Sequence, residues 1–342
     1  MKKNYKFNCR VCGNPMVKAG KNGTGKQRYK CNICNTRTVI NKEEKTKRNE
    51  LKLFIKWLID STKISDKVDM SRSTFYRKTS WCWRIKPKIK SDEISSDFIF
   101  VDATYIHRNL CLLIVRDSQF VLGFRWAESE NFEDYYELLK SLKEPKFVIC
   151  DGDSSITKAV GRLWKNAEIQ RCLVHITRSA ERKLGKRSPC RINHLFRHHI
   201  KKLHSIKTIK KSQNWLNRFD ELYEEHKDFI EQKTPVVDPE TGEVLRFYRT
   251  HKNVFSVYNM VKNLIKKNML FLYLENEIPN NSNRLEGGIN FPLKNLLRCH
   301  RGLPLERQKR MFEWYLLSRS ATPVEEFIRT LNLDELYPKN DT

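Results

Sequence analysis

The spacing of apolar residues divides the chain into segments that favour helices and segments that favour strands. The run LKLFIKWLI, which begins at Leu51, repeats apolar residues at the spacing of one helical face and predicts a helix. A second helix, basic and aromatic, is predicted after Ser71, whose hydroxyl suits the N-cap position. Two helices in this order resemble a helix-turn-helix, although a plain helical hairpin with solvated charges fits the same pattern.

Between residues 97 and 176 the helical spacing gives way to short apolar runs. Three of them, FIFVDATYI, LCLLIVRD and FVLGFRWAE, are separated by turn-like breaks and predict an antiparallel meander. A helix is predicted at about 132 to 143, followed by the strand KFVICDG, a helix at about 153 to 165 and the strand EIQRC. The predicted order is β-β-β-α-β-α-β, which is an α/β core.

After residue 176 the strand pattern is lost and Lys, Arg and His become frequent. This composition predicts an inserted helical domain that continues to about residue 275. Within it, TPVVDPETGEVL is predicted to be a polar, turn-rich loop. The segment from 282 to 330 is predicted to be helical again.

Two of the predicted strands end in an acid as the chain leaves the sheet. Asp102 follows FIFV, and Asp151 follows FVIC. If these strands are neighbours, their ends bring the two carboxylates together in the crevice where open α/β sheets bind ligands. Acids so close repel each other unless a divalent cation lies between them, and oxygen ligands select Mg²⁺ or Mn²⁺. The alternative is that each acid caps a turn or pairs with an arginine.

The choice of the second and third acids is less direct. Asp153 competes with Asp151, but it precedes a helix and suits the N-cap of that helix better. Glu286 is the candidate for a third acid, after Asn and Ser capping residues and before Gly287 and Gly288. Two glycines weaken a helix by about 1 kcal/mol each, so they suggest that another backbone or DNA approaches there. A capping-box role is the alternative for Glu286. Two weaker rivals are Glu275 and Glu277.

Four cysteines near the start of the chain have the spacing of a metal site. The pairs CRVC and CNIC hold Cys9, Cys12, Cys31 and Cys34. Two thiolate pairs on tight turns supply four tetrahedral ligands, and so short a segment has too little apolar surface to fold without a cross-link. We therefore predict a zinc ribbon with a structural Zn²⁺. The alternative is two unrelated pairs of reduced thiols.

The charge of the chain indicates its partner. Lys and Arg number 66 against 40 Asp and Glu, which gives a formal net charge of +26. Basic residues interleaved with Tyr, Trp and Phe favour nucleic acid, and an acidic membrane surface is the alternative. No stretch approaches the roughly 20 apolar residues that span a bilayer, and MKKNYKFNCR lacks the apolar centre of a secretory signal. We expect a cytosolic protein with no membrane partner, in which the cysteines are free thiols or metal ligands rather than disulfides.

These motifs, taken in order, resemble one family. Asp102 after a first strand, Asp151 in VICDGDSSITKAV, then CLVH, and finally SNRLEGGIN with LKNLLRCHRG are similar to the bacterial branch of the Mutator-like transposases. Those insertion-sequence enzymes have an RNase H-like catalytic core, and one subgroup carries an N-terminal zinc ribbon and helix-turn-helix. The resemblance implies an α/β fold class, in which an RNase H-like core is interrupted by an all-helical insertion and preceded by the ribbon and the helix-turn-helix.

The resemblance also implies domain limits. In chain order these are a zinc ribbon at 1–43, a helix-turn-helix DNA-binding domain at 44–90, the first part of the core at 96–176, the helical insertion at 177–278, and C-terminal core helices that carry the catalytic Glu at 279–330.

By resemblance, Asp102, Asp151 and Glu286 form a DDE triad that holds two Mg²⁺ or Mn²⁺ ions and catalyses DNA cleavage and strand transfer. Cys172 and His175 match the Cys-x-x-His motif of the family. The sequence leaves the role of this motif open, and packing of the core near the triad is one interpretation. Trp215 in the insertion is a candidate for stacking on a flipped base, although an aromatic residue on a helix is more often part of a core.

DNA is the expected partner, both as terminal inverted repeats and as target. Two ends must be handled together, so we expect a homodimer or a higher oligomer on DNA, in the bacterial cytoplasm and associated with the nucleoid. The residues expected to contact DNA belong to the second predicted helix and the C-terminal motif: Arg72, Ser73, Thr74, Tyr76, Arg77, Lys78, Arg284, Arg298, His300 and Arg301.

Two other functions fit parts of the sequence. A domesticated transposase that keeps DNA binding but not chemistry would be a DNA-binding regulator, although an intact set of three acids argues against it. A tyrosine recombinase uses clustered Arg and His with a Tyr nucleophile, and RCHRGLPLERQKRMFEWYL offers Tyr315 for that role.

Overall fold

The computed structural model describes residues 7–9, 11–39, 42–60, 70–89 and 96–333. Its strands are β1 (Phe7–Asn8), β2 (Pro15–Lys21), β3 (Gln27–Cys31), β4 (Arg37–Val39), β5 (Phe98–His107), β6 (Leu110–Arg116), β7 (Val121–Ala127), β8 (Phe147–Cys150), β9 (Glu168–Arg171), β10 (Lys233–Val237) and β11 (Val244–Arg249).

Its α-helices are α1 (Lys42–Ile59), α2 (Arg72–Thr79), α3 (Phe132–Leu139), α4 (Ser154–Leu163), α5 (Leu173–Leu184), α6 (Arg191–Lys201), α7 (Ile209–Glu225), α8 (Lys227–Glu231), α9 (Lys252–Lys266), α10 (Asn283–Leu285), α11 (Phe291–Cys299), α12 (Leu305–Ser318) and α13 (Val324–Thr330). A π-helical turn, Glu286–Asn290, directly follows α10. Among the described residues, none of the helices is long and apolar enough to cross a membrane.

The chain divides into two compact units. Among the described residues, the first unit holds those up to 89 together with 120–123 and 287–333, and the second holds 96–119 and 124–286. The predicted domain limits at 43, 90, 176 and 278 stay predictions, because this division follows other boundaries.

The first unit contains a small sheet and a set of helices. The sheet has the antiparallel order β1-β2-β3-β4. The apolar face predicted for α1 is buried at Leu51, Phe54 and Leu58. The rings of Trp57 and Phe75 meet edge to face at 5.2 Å, so that α1 packs against α2. Ser71 caps α2 as predicted, because its side chain accepts a hydrogen bond from the backbone of Thr74. Residues 61–69, which join the two helices, lie outside the described residues.

The second unit is built on a five-stranded mixed sheet with the order β7-β6-β5-β8-β9, to which β7 contributes residues from 124 onward. Strand β5 is antiparallel to β6 and parallel to β8, and β8 is parallel to β9. This confirms the predicted order of strands and helices. The central strands are buried, as their continuous apolar sequences indicate: in β6 every residue after Leu110 is buried.

The segment between β9 and residue 278 folds around its own apolar core. Side chains of α5 to α9 form this core, with Phe196, Phe219 and Val257 fully buried. Trp215 belongs to it, stacked on Phe219 with ring centroids 5.2 Å apart. The two ends of the segment meet at β9, where the buried Gln170 amide donates to the carbonyl of Leu270 at 3.1 Å.

The insertion is not all-helical, which corrects the prediction made for it. The run TPVVDPETGEVL, predicted as a loop, forms most of a β-hairpin in which β10 pairs with β11 in antiparallel register. Its turn is closed by hydrogen bonds from Glu240 and Thr241 to the Asp238 carboxylate. The sequence did not predict these strands because neither face of the hairpin is buried. Leu245, Phe247 and Tyr248 are all exposed, so the strands lack the alternation of apolar and polar residues that marks a half-buried strand.

The insertion core should make a large contribution to stability. We expect Phe219→Ala to lower the free energy of unfolding by about 3 to 5 kcal/mol, because it opens a cavity among stacked rings. The same truncation of Phe247, which is 61% exposed on the hairpin, should change it by less than about 0.5 kcal/mol. Denaturant titration of both variants measures this difference, and equal losses would contradict the assignment of the core.

Candidate functional site

The pairing of β5 with β8 brings two of the predicted acids together. In this parallel pair Val101 lies opposite Cys150, so that Asp102 and Asp151 follow at the same level of neighbouring strands. Paired strands lie about 4.8 Å apart, and side chains in register point to the same face. The two carboxylates are therefore brought close together. Asp151 directly follows β8, as the sequence predicted. Asp102 does not end its strand, which corrects that prediction, because β5 continues to His107 and Asp102 lies opposite Ile114 of β6.

The turn after β8 explains how Asp151 and Asp153 divide their roles. Asp151 Oδ1 accepts a hydrogen bond from the backbone of Asp153 at 2.9 Å. Asp153 in turn caps α4, since its Oδ1 accepts from the backbone of Ser155 at 2.7 Å. Gly152 has φ +77°, and a Cβ there would lie 1.9 Å from the Arg171 side chain. The turn therefore requires glycine, and Asp153 serves the helix as predicted.

The electrostatics of the acids are those of a crowded pair, in which Asp102 is 8% exposed and Asp151 is half-buried. Burial, and after it the nearby charge of Asp151, raise the pKa of the Asp102 carboxyl to about 7, while His175 acts in the opposite direction. The Glu286 charge adds to the repulsion. A site of this kind disfavours a second negative charge unless a cation is close.

Glu286, which follows the insertion in the chain, lies close to His175 and Arg178 of α5. Its Oε1 accepts a hydrogen bond from Arg178 Nη1 at 3.0 Å and lies 3.5 Å from His175 Nε2. It is the first residue of the π-helical turn, a feature often found at functional sites. A Cβ at Gly287 would meet nothing within 4 Å, so among the described residues no backbone approaches that glycine closely.

The capping expected before Glu286 is not seen at Ser282, which corrects that prediction. Ser282 precedes α10 but makes no side-chain cap. Its hydroxyl donates instead to Cys172 Sγ at 3.3 Å. The pKa of His175 lies above its ordinary value, chiefly because its ring lies against the Cys172 thiol and also because Asp102 and Asp151 are near.

The donor set fits a hard divalent cation in part. Carboxylate oxygens are the ligands that Mg²⁺ and Mn²⁺ prefer, and Asp102 and Asp151 both directly follow the last residue pair of β5 and β8. Glu286, however, is engaged by Arg178. In the part of the chain that the structure describes, the three carboxylates do not form a cluster with ligand atoms within 4.8 Å of one another. A shared ion therefore requires Glu286 to leave Arg178.

A basic cavity of about 810 Å³ adjoins these residues. It is lined by His175, Arg178, Arg182, Lys186 and Lys201, together with Glu181. Glu181 neutralises Lys201 through an ion pair of 2.9 Å, which leaves the cavity basic. Sequence reasoning missed Arg178 and Arg182, although their spacing from His175 along α5 placed them on the same face of a helix.

The four N-terminal cysteines converge as predicted. Their Sγ atoms all lie within 4.8 Å of one another, with Cys9 and Cys34 3.3 Å apart and Cys12 and Cys31 3.4 Å apart. Sulfurs around a tetrahedral zinc with Zn–S near 2.3 Å would be about 3.8 Å apart. The Thr36 hydroxyl beside Cys34 lowers the pKa of that thiol to about 6, which favours a thiolate ligand. The cluster is compatible with a zinc ribbon.

The residues expected to contact DNA are mostly exposed. On α2, Arg72, Ser73, Tyr76, Arg77 and Lys78 are exposed, and Thr74 is half-buried. In the C-terminal motif Arg298 and Arg301 are exposed, and the side chain of Arg284 lies outside the described residues. His300 is half-buried, with its ring 4.8 Å from that of Trp57, so it packs against α1.

Two aromatic candidates are buried. Trp215 is 5% exposed, and its indole donates to the carbonyl of His199 at 3.0 Å. A ring so enclosed is not presented to a flipped base, and its placement supports the core alternative. Tyr315, the nucleophile of the tyrosine recombinase alternative, is 3% exposed, and its hydroxyl donates to the carbonyl of Gly288.

We expect one zinc ion per chain, bound by the four cysteines. Cys31→Ser should lose this zinc and the protection of residues 11–39 from hydrogen exchange, because the apo ribbon has too little core to fold. Cys299→Ser, which alters an exposed cysteine elsewhere, should keep both. Metal content and hydrogen exchange measure the effect. Full zinc in Cys31→Ser would contradict the assignment.

A side chain at position 152, in the turn between Asp151 and Asp153, should lower the stability of the fold. Gly152→Ala is expected to lower stability by about 1 to 2 kcal/mol, because the positive φ disfavours a Cβ and Arg171 must move. Gly161→Ala, in α4 with open space around it, should raise stability by about 0.5 to 1 kcal/mol. Thermal unfolding of the two variants provides the comparison, and a neutral Gly152→Ala would show that the turn is not constrained.

Comparison with known proteins agrees with this geometry. The family model of the Mutator-family transposases matches residues 113–269, from within β6 to just beyond α9. This span includes Asp151, Cys172 and His175, while Asp102 and Glu286 lie outside it. A search of curated proteins found no match. The central segment of the chain, residues 113–269, is thus similar to the Mutator-family transposases.

Proposed function

We propose that this chain is a transposase that uses DDE chemistry, with Asp102, Asp151 and Glu286 as its triad. The observation that carries the proposal is the register of β5 with β8, which sets Asp102 and Asp151 side by side. The contacts of Glu286 with His175 and Arg178 support its place in the same site. The strand order of the second unit supports the RNase H-like core that the family resemblance implies.

The reaction proposed is cleavage at an element end followed by strand transfer to target DNA. When bound, two Mg²⁺ or Mn²⁺ ions about 3.5 to 4 Å apart stabilise the attacking and leaving oxygens of a phosphodiester. Asp102, Asp151 and Glu286 are the residues that would hold these ions. Arg178 would release Glu286 and turn to a phosphate of the incoming DNA, since a guanidinium pairs as well with phosphate as with carboxylate.

DNA binding is proposed to use both units. The exposed basic face of α2, next to α1, supports a helix-turn-helix that reads terminal inverted repeats. In the second unit, Arg178, Arg182 and Lys186 offer a basic path for phosphates beside the acids. The zinc ribbon would assist in end recognition, and two ends handled together call for a dimer or higher oligomer on DNA.

Substitution of each acid tests the proposal. Asp102→Asn, Asp151→Asn and Glu286→Gln should each reduce the rates of cleavage and strand transfer by more than about 100-fold. Loss of a residue that only hydrogen-bonds to a metal ligand typically costs roughly 10- to 100-fold, and loss of a ligand itself should cost more. DNA binding should be retained, because the substitutions remove charge without altering shape. Assays on oligonucleotides with the element ends, in Mg²⁺ and in Mn²⁺, provide the measurement.

Asp153→Asn is the matched control. It lies two residues from Asp151, and asparagine caps a helix as well as aspartate does, so it should retain activity. Full activity in all three triad variants would refute the triad. Loss of activity in Tyr315→Phe with full activity in chelator would favour a tyrosine recombinase instead. DNA binding without any chemistry in the unaltered chain would favour a regulator.

A further inference from the structure

Cys172 and His175 lie between the two strands and the helical turn that carry the acids. The backbone N–H of Cys172 donates to the carbonyl of Cys150 at 2.8 Å, and Cys150 directly precedes Asp151. In the next residue, the N–H of Leu173 donates to the carbonyl of Asn280 at 2.9 Å. This short turn therefore contacts the strand end of Asp151 and the segment that leads to Glu286.

The side chain of Cys172 adds a second connection to that segment. Its Sγ accepts two hydrogen bonds from Ser282, one from the backbone N–H and one from the hydroxyl, both at 3.3 Å. Both residues are buried, Cys172 at 0% and Ser282 at 1% exposure. Sulfur is a weak hydrogen-bond acceptor. Two donors from Ser282 on the same Cys172 Sγ therefore define the relative position of the two residues.

Ser282 transmits this position to Glu286. The carbonyl of Ser282 accepts hydrogen bonds from the backbone of Leu285 at 2.8 Å and of Glu286 at 3.1 Å. One turn along α5 from Cys172, His175 Nε2 lies 3.5 Å from Glu286 Oε1. Glu286 is thus held through its backbone by way of Cys172 and through its carboxylate by His175.

We propose that Cys172, His175 and Ser282 form a positioning clamp that sets Glu286 relative to Asp151. This inference rests on the proposed triad and gives the Cys-x-x-His motif a role in it. The clamp fixes the backbone that leads to Glu286, while Arg178 contacts the Glu286 carboxylate. The three residues are positioning residues, since they act through the acids and not on the DNA.

Direct binding of Mn²⁺ to the zinc-loaded full chain in complex with a DNA duplex tests the clamp apart from turnover, because DNA is expected to release Glu286 from Arg178. Cys172→Ala and Ser282→Ala should each weaken Mn²⁺ binding, followed by electron paramagnetic resonance, by about 10- to 100-fold, as expected for partners of metal ligands. Cys172→Ser keeps a hydrogen-bond acceptor and should remain closer to the parent chain than Cys172→Ala. Cys111→Ala is the matched control, because it truncates an equally buried cysteine on β6.

The outcomes separate the clamp from the triad. If Ser282→Ala, which removes only a hydroxyl, folds and binds Mn²⁺ as tightly as the parent chain, the clamp is overturned. The same conclusion follows if Cys172→Ala loses no more Mn²⁺ affinity than Cys111→Ala. If Asp102→Asn also binds Mn²⁺ normally and transfers strands, the triad fails and the clamp fails with it. If Asp102→Asn loses Mn²⁺ binding while Cys172→Ala and Ser282→Ala bind Mn²⁺ normally, the clamp alone is overturned.

Discussion

The parallel pairing of β5 with β8 is the constraint on which the rest of the site depends. Backbone hydrogen bonds fix this register over four residue pairs, from Phe98 opposite Phe147 to Val101 opposite Cys150. Where the pairing ends, two carboxylates follow side by side, and one of them is buried. Hydrophobic strands thus hold together two charges that repel each other, and the pKa of Asp102 is raised first by its burial and then by the charge of Asp151. A cation would relieve it, which is why the arrangement suits metal-dependent chemistry.

The insertion separates the third acid from the other two along the chain but not in space. It leaves the sheet after β9 and returns to the same place, where the amide of Gln170 meets the carbonyl of Leu270. Its first helix, α5, supplies both the arginine that engages Glu286 and the basic cavity beside it. A single helix therefore contacts the acid and lines the basic cavity, and in the proposed function DNA and the carboxylate would compete for the guanidinium of Arg178.

The sequence predicted those parts of the fold that rest on apolar patterning. The strand order, the acid directly after β8, the Asp153 cap and the cysteine cluster all follow from local periodicity or spacing. Asp102 was expected at the end of its strand, but pairing with β6 extends β5 to His107. The β10–β11 hairpin did not, since strands exposed on both faces lack an apolar side. Trp215 was ambiguous because periodicity cannot separate a buried aromatic residue from one that faces a ligand. The link from Ser282 to Cys172 joins residues 110 positions apart, and no local rule predicts such a contact.

The most direct test of the account is the position of manganese in crystals of the protein bound to its DNA ends. Anomalous scattering should reveal two ions about 3.5 to 4 Å apart, one between Asp102 and Asp151, with Glu286 turned from Arg178 to the other. A catalytically competent complex with no ion between Asp102 and Asp151, and with Glu286 still paired to Arg178, would contradict it.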